Sequence, residues 1–202
     1  ILSSIILWLL NIFGAFAVAI LIAAAESAFV LFLLSRSRTA SLRASPPFGW
    51  ALGLGIGSMQ ACVLIFRLFD QELAYSDYSG VNVISLTLAI VIALCSSLGH
   101  ALLACWQGAE LLENNRLRPY VISTVYRGAL TTLLVLSLFT PFTLIAVLPG
   151  LALAWNKAQS HWLPSGMTPA AKQAYRRTTR QSERHKEASE SRIRGENIDS
   201  DE

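Results

Sequence analysis

Phe48–Phe69 reads FGWALGLGIGSMQACVLIFRLF, and no residue in it is charged before Arg67. A run of about 18 or more apolar residues is long enough to cross the hydrocarbon core of a bilayer as a helix. Inside lipid a segment has to satisfy its own backbone N–H and C=O groups, and a single segment does so only as a helix. The stretch therefore reads as a transmembrane helix. Its glycines follow no strand, so they are packing residues and not a phosphate cradle.

Three further stretches share this character: Ile12–Leu34, Val81–Trp106 and Tyr120–Trp155. The first apolar run begins at Ile1, but a straight helix from there to Leu34 would be about 50 Å long. Trp8 and Asn11 suit an interfacial start, so the span is placed from Ile12. The opening segment has no basic n-region and no small-residue cleavage site, and it is not read as a cleaved signal peptide. Of the 202 residues 53% are hydrophobic and 14% charged, against about 25% charged in a soluble domain. The fold class is all-α: a polytopic transmembrane helix bundle over residues 1–156, with spans at 12–34, 48–69, 81–106 and 120–155. Residues 157–202 form a hydrophilic, charged tail that is helical or disordered.

Basic residues in short loops set the orientation. Ser35–Pro47 carries Arg36, Arg38 and Arg43, and the turn Gln107–Pro119 carries Arg116 and Arg118. Asp70–Gly80 carries Asp70, Glu72 and Asp77 and no basic residue. The first two loops are expected in the cytoplasm and the third outside, with Trp8, Trp50, Trp106 and Trp155 near span ends as an interfacial belt. Tyr120–Trp155 is too long for one upright helix and contains Pro141 and Pro149-Gly150. One kinked span, with the tail outside, is taken ahead of a hairpin broken near Thr140-Pro141 that would return the tail to the cytoplasm.

Small residues recur at helical spacing. Gly49, Gly53, Gly57 and Ala61 form a GxxxGxxxG ridge; Ala89, Ala93, Ser97 and Ala101 repeat the pattern, as do Ala15, Ala19, Ala23 and Ser27. Such ridges let helix backbones approach closely. Packing within the chain is the first expectation, and docking of a membrane-protein partner or a second copy is the alternative.

Polar side chains inside the spans each need a reason, because a charge at bilayer depth costs about 3 kcal/mol or more. Glu26, His100 and Arg127 each lie about 13–15 Å inside a span end, and Gln60 is near the middle of its span. A Glu26–Arg127 pair with His100 and Gln60 hydrogen-bonded nearby would lower the burial cost. Such a cluster either fixes helix register or forms an ion- or proton-linked site with Glu26 and His100 as titrating groups.

The tail opens with Thr168-Pro169, an N-cap followed by proline in the first turn, and a polar helix over Ala170–Arg194 is one reading. Lys172, Arg176, Arg177, Arg180, Arg184 and Lys186 form a basic patch, and Glu196 to Glu202 is mainly acidic. A solvated tail is set against a basic arm for anionic lipid headgroups or an acidic partner. Nothing points to specific nucleic-acid recognition.

No GxSxG, HExxH, Walker-type loop or dinucleotide fingerprint occurs, so no catalytic residue, cofactor or metal site is assigned. Cys62, Cys95 and Cys105 lie in spans without a CxxC and read as small apolar residues. Ala23–Arg38, AAAESAFVLFLLSRSR, resembles the end of the first membrane helix in the CNNM/CorC family of magnesium-transport-associated proteins. There too a small-residue run with an embedded acid leads into an Arg-rich cytoplasmic segment. The family's later Gly-Glu-x-x-Pro-Lys-like segment and its nucleotide-binding CBS region are not found in this sequence, and the likeness assigns no residue a role. The expected protein is a multi-pass component of a cell membrane, read as a bacterial inner membrane. Its expected task is that of a non-catalytic accessory, assembly or scaffold component. A small transporter or channel subunit is the second reading and a membrane-embedded enzyme the third.

Overall fold

The structure, a computed structural model, describes residues 2–36, 43–70 and 81–194, with side chains over the same segments except residues 2–13, 15, 169 and 172. The side chains of Trp8, Asn11 and Ala15 fall outside what is described, as do Arg38, Glu72, Asp77 and the acidic run from Glu196. The described residues are helical and contain no strand: α1 (Leu2–Leu34), α2 (Ser45–Phe69), α3 (Val83–Leu112), α4 (Leu117–Ser137), α5 (Thr143–Lys157) and α6 (Pro169–Arg194). Between α5 and α6 the helical path continues through a π-helical turn, Ala158–Trp162, and a short turn, Leu163–Ser165. Four segments are long and apolar enough to cross a membrane: Phe16–Leu34, Ser45–Phe69, Val83–Leu112 and Leu117–Ser137. The expected all-α membrane-helix bundle is what the chain forms.

Local sequence explains the helix ends. Pro46 and Pro47 occupy the first turn of α2, where a missing N–H breaks no helical bond. Asn82 caps α3 in a reciprocal box: its Oδ1 accepts from the Ser85 N–H at 2.7 Å, and the Ser85 Oγ accepts from the Asn82 N–H at 3.0 Å. α3 runs on past Trp106 to Leu112, so Gln107 and Gly108 are helical and buried, not part of a turn.

The most extensive helix pair is α2 on α3. A Cβ built on Gly49 would meet the Ala104 carbonyl, one on Gly53 the His100 carbonyl, and one on Gly57 the Ser96 carbonyl, all closer than 3.0 Å. Gly108 continues the series from the other side, against the Ser45 carbonyl. Each step of four along α2 is thus matched by a step of four back along α3, a constant antiparallel register. Ser96 reinforces it by donating its Oγ–H to the Gly57 carbonyl at 2.8 Å. Gly49, Gly53, Gly57 and Ala61 are all buried in this contact. On α3, Ala89 and Ala101 are buried, while Ala93 and Ser97 are half-buried. The glycine ridge is therefore filled by the chain's own next helix.

The apolar region Tyr120–Trp155 does not form one kinked helix. It divides into α4 and α5, with the break at Leu138–Phe142, so the hairpin alternative describes it. Thr140-Pro141 supplies the stop, and the Thr143 Oγ donates to the Leu133 carbonyl at 3.1 Å across the turn. Leu144 and Val147, early in α5, join a core with Leu64, Leu68, Leu88, Ile92 and Leu134, at the end of the bundle remote from Ser45. Trp155, late in α5, has its ring 5.6 Å from that of Trp50, one turn into α2. A Cβ on Gly166 would lie 2.6 Å from the Arg43 carbonyl. The chain therefore travels back along the bundle from Thr143 to Gly166 and leaves it at the Ser45 end. The path through Ser165 is about 34 Å long at 1.5 Å per residue. A second core, Val30, Leu34 and Ala104 with Leu52, Ile56 and Leu111, closes the Ser45 end. α1 lies mainly on α4, where Gly128 leaves room for Ile20.

Met167–Glu202 is a separate compact unit. Thr168 caps α6 by accepting the Ala171 N–H on its Oγ at 3.3 Å. Arg176, Arg177, Arg180, Arg184 and Lys186 are exposed on this helix, and Lys172 is placed only by its backbone.

The α2–α3 register separates two glycines two residues apart. Gly53→Ala should lower stability by about 1–3 kcal/mol, the usual cost of overpacking. Gly55→Ala, where a Cβ meets nothing within 4 Å, should leave stability unchanged or raise it. Thermal unfolding of both variants in the same detergent checks this; equal midpoints would contradict the register.

Candidate functional site

The buried polar centre is organised by Arg127, which is 0% exposed on the inner face of α4. A guanidinium keeps its charge and offers five N–H donors in a rigid fork. Its Nη1 donates to His100 Nδ1 at 3.2 Å, its Nη2 to Gln107 Oε1 at 3.2 Å, and its Nε to Ser123 Oγ at 3.3 Å. Glu26 on α1 supplies the counter-charge, with Oε2 3.8 Å from Arg127 Nη1 and 3.6 Å from His100 Nδ1. The network continues outward: Ser123 and Ser27 share a hydrogen bond at 2.9 Å, and Gln107 Nε2 reaches the Ser27 carbonyl at 3.5 Å. Three helices, α1, α3 and α4, are thereby joined through one cation.

Helical spacing explains how these side chains meet. His100 and Gln107 stand two turns apart on one face of α3, and Ser123 lies one turn before Arg127 on α4. His100, Gln107, Ser123 and Ser27 are all 0% exposed. The Glu26 side chain is different. It is 25% exposed, at the border between the buried stripe Ala19–Ala23–Ser27 and the outward residues Ile22 and Phe29. Because Nδ1 of His100 faces a cation donor, the hydrogen-bond network assigns the ring proton to Nε2. That Nε2 is buried and has no hydrogen-bond partner.

Of the four expected members of the polar band, Glu26, His100 and Arg127 are brought together. Gln60 is not among them. Its Nε2 donates to Thr131 Oγ1 at 3.0 Å, one turn further along α4, and its Oε1 is buried without a partner. Gln107, Ser123 and Ser27 belong to the network but were not singled out for it by sequence. The i,i+4 spacing of Ser123 and Arg127 was the available signal for one. Gln107 was hidden by ending its helix at Trp106, and Ser27 by its place on a small-residue ridge. Cys95 and Cys105 are buried free thiols, and Cys62 is a free thiol on the outer surface. Among the described residues no group of three His, Cys, Asp or Glu side chains converges on a point that could hold a metal.

The fold and this centre together define a polytopic α-helical membrane protein with a charged interhelical network. Comparison with protein-family models, with curated proteins and with solved structures finds no match.

The two charged partners should respond unequally to substitution. Arg127→Met leaves a carboxylate and an imidazole without their donor and should cost about 3 kcal/mol or more. Glu26→Gln should cost clearly less, because the Glu26 side chain is a quarter exposed and Arg127 keeps its bonds to His100, Gln107 and Ser123. Chemical or thermal unfolding in mixed micelles measures both; a Glu26 variant as damaged as the Arg127 variant would contradict the assignment of Arg127 as the hub.

Proposed function

We propose that the chain is a non-catalytic accessory or assembly component of a membrane complex, with its arginine centre serving as an internal lock. The observation that carries this reading is the use made of Arg127: all three guanidinium nitrogens engage groups of the protein itself, on three helices. A cation whose three nitrogens are each engaged by the protein itself fixes the positions of the helices that supply its partners. The lipid-facing residues of α1 and α2, among them Phe29, Phe32, Met59 and Phe66, remain as contact area for lipid or a neighbouring subunit. The arginines gathered at the Ser45 end support a cell-membrane orientation with that end in the cytoplasm.

A second reading, a proton- or ion-linked transporter subunit, is favoured by two features of the same centre. The Glu26 carboxylate is partly exposed, and His100 Nε2 is buried without a partner. Ionisable groups at this depth commonly mark transport paths.

Two measurements separate the readings. Purification from native membranes in mild detergent should recover a companion membrane protein in fixed ratio, and the Glu26→Gln variant should retain it. A solitary chain, together with a pH-driven flux in proteoliposomes that Glu26→Gln abolishes, would replace the accessory reading with the transporter one.

A further inference from the structure

We propose that the first half of α6 binds the anionic lipid headgroups of the leaflet into which the chain emerges at Gly166. This inference does not depend on whether the bundle is an accessory component or a transporter. Lys172, Arg176, Arg180 and Arg184 recur every four residues, and each such step turns about 40° around the helix, so the four keep to one side of it over about 120°. Arg177 lies beside them, and Glu183 is the one acid between Pro169 and Lys186. Arg176, Arg177, Arg180 and Arg184 are exposed, and none is in an ion pair with a carboxylate among the described residues.

The bundle supplies the second observation. Because α5 returns along α4, the chain emerges at Gly166, against the Arg43 carbonyl and the Pro46 ring. The exposed Arg43, Arg116, Arg118 and Lys157 lie at this end, beside the Trp50–Trp155 pair expected of a headgroup-level belt. Only Gly166 and Met167 separate the last turn of the bundle from the Thr168 cap of α6. A basic helix tethered so closely to the bilayer surface is at high effective concentration there.

The chemistry of α6 selects lipid over a protein groove. The helix carries Tyr175 and Ile193 as its large apolar residues, and the rest of it is mainly charged residues interspersed with alanine, threonine, serine and glutamine. That leaves no stripe of anchors for a hydrophobic groove, which helix-in-groove docking requires. Headgroup binding needs only charge, and the cytoplasmic leaflet, with its anionic lipids, attracts each nearby Lys or Arg by about fivefold in partition.

The test uses the full chain in nanodiscs, with hydrogen exchange of the α6 amides as the readout. Discs containing phosphatidylglycerol should slow exchange over Arg176–Arg184 by about tenfold or more relative to phosphatidylcholine discs. Salt at about 1 M should remove the difference. The variant Arg176→Gln/Arg180→Gln/Arg184→Gln, whose changes are all on exposed tail positions, should exchange in anionic discs as in phosphatidylcholine. Equal exchange of the unaltered chain in both lipids overturns the proposal, as does protection that survives in the triple variant. Protection reproduced in phosphatidylcholine discs by millimolar inorganic phosphate, or only by co-purified membrane proteins, also overturns it. The stripe would then be a free-anion or a protein surface.

Discussion

A guanidinium cannot shed its charge inside a membrane, so Arg127 constrains everything packed around it. Its position on α4 is tenable only if acceptors and a counter-charge arrive from neighbouring helices. They come from α3 through His100 and Gln107, from α4 itself through Ser123, and from α1 through Glu26. Apolar contact in lipid gives helices little preference for one register over another, since lipid tails are as apolar as leucine. A directional cluster supplies that preference, and here it sets α1, α3 and α4 at one mutual height.

α2 takes no part in the arginine network and is held by a different force. Its glycines bring its backbone against α3 closely enough that no Cβ would fit at Gly49, Gly53 or Gly57. His100 joins the two systems: its carbonyl lies opposite Gly53 while its ring receives the Arg127 N–H. A slip of α2 along α3 would therefore disturb the residue on which the cation depends. The hairpin of α4 and α5 then seals the end of the bundle remote from Ser45 through Leu134, Leu144 and Val147, and carries the chain back to the arginine-bearing end.

Much of this was legible in the sequence because lipid imposes strong composition. The four spanning helices follow from length and hydropathy alone, and the union of Glu26, His100 and Arg127 follows from their similar depth. What periodicity could not rank was which helix sides face each other. Gln60 has the right depth but lies on the side of α2 turned to Thr131, one turn beyond Arg127. The expected Ser97–Ala101 series does lie against the α2 glycines, and it shares that contact with the carbonyls of Ser96, His100 and Ala104, because a histidine can offer its backbone to a glycine while turning its ring elsewhere. Pro141 alone does not distinguish a kink from a reversal. The difference is made by Thr143 bonding back to Leu133 and by the apolar contacts of α5, which are tertiary facts.

The central claim is that α1 and α4 meet at the level of the buried arginine. Ser27 and Ser123, whose hydroxyl oxygens lie 2.9 Å apart, report on it directly. With Cys62, Cys95 and Cys105 replaced, the pair Ser27→Cys and Ser123→Cys should form an intramolecular disulfide on mild oxidation in membranes. Moving one partner to outward-facing Leu21 on α1 should abolish it. Failure of the Ser27–Ser123 pair to crosslink in folded protein, or crosslinking as efficient from position 21, would contradict the apposition and the network built on it.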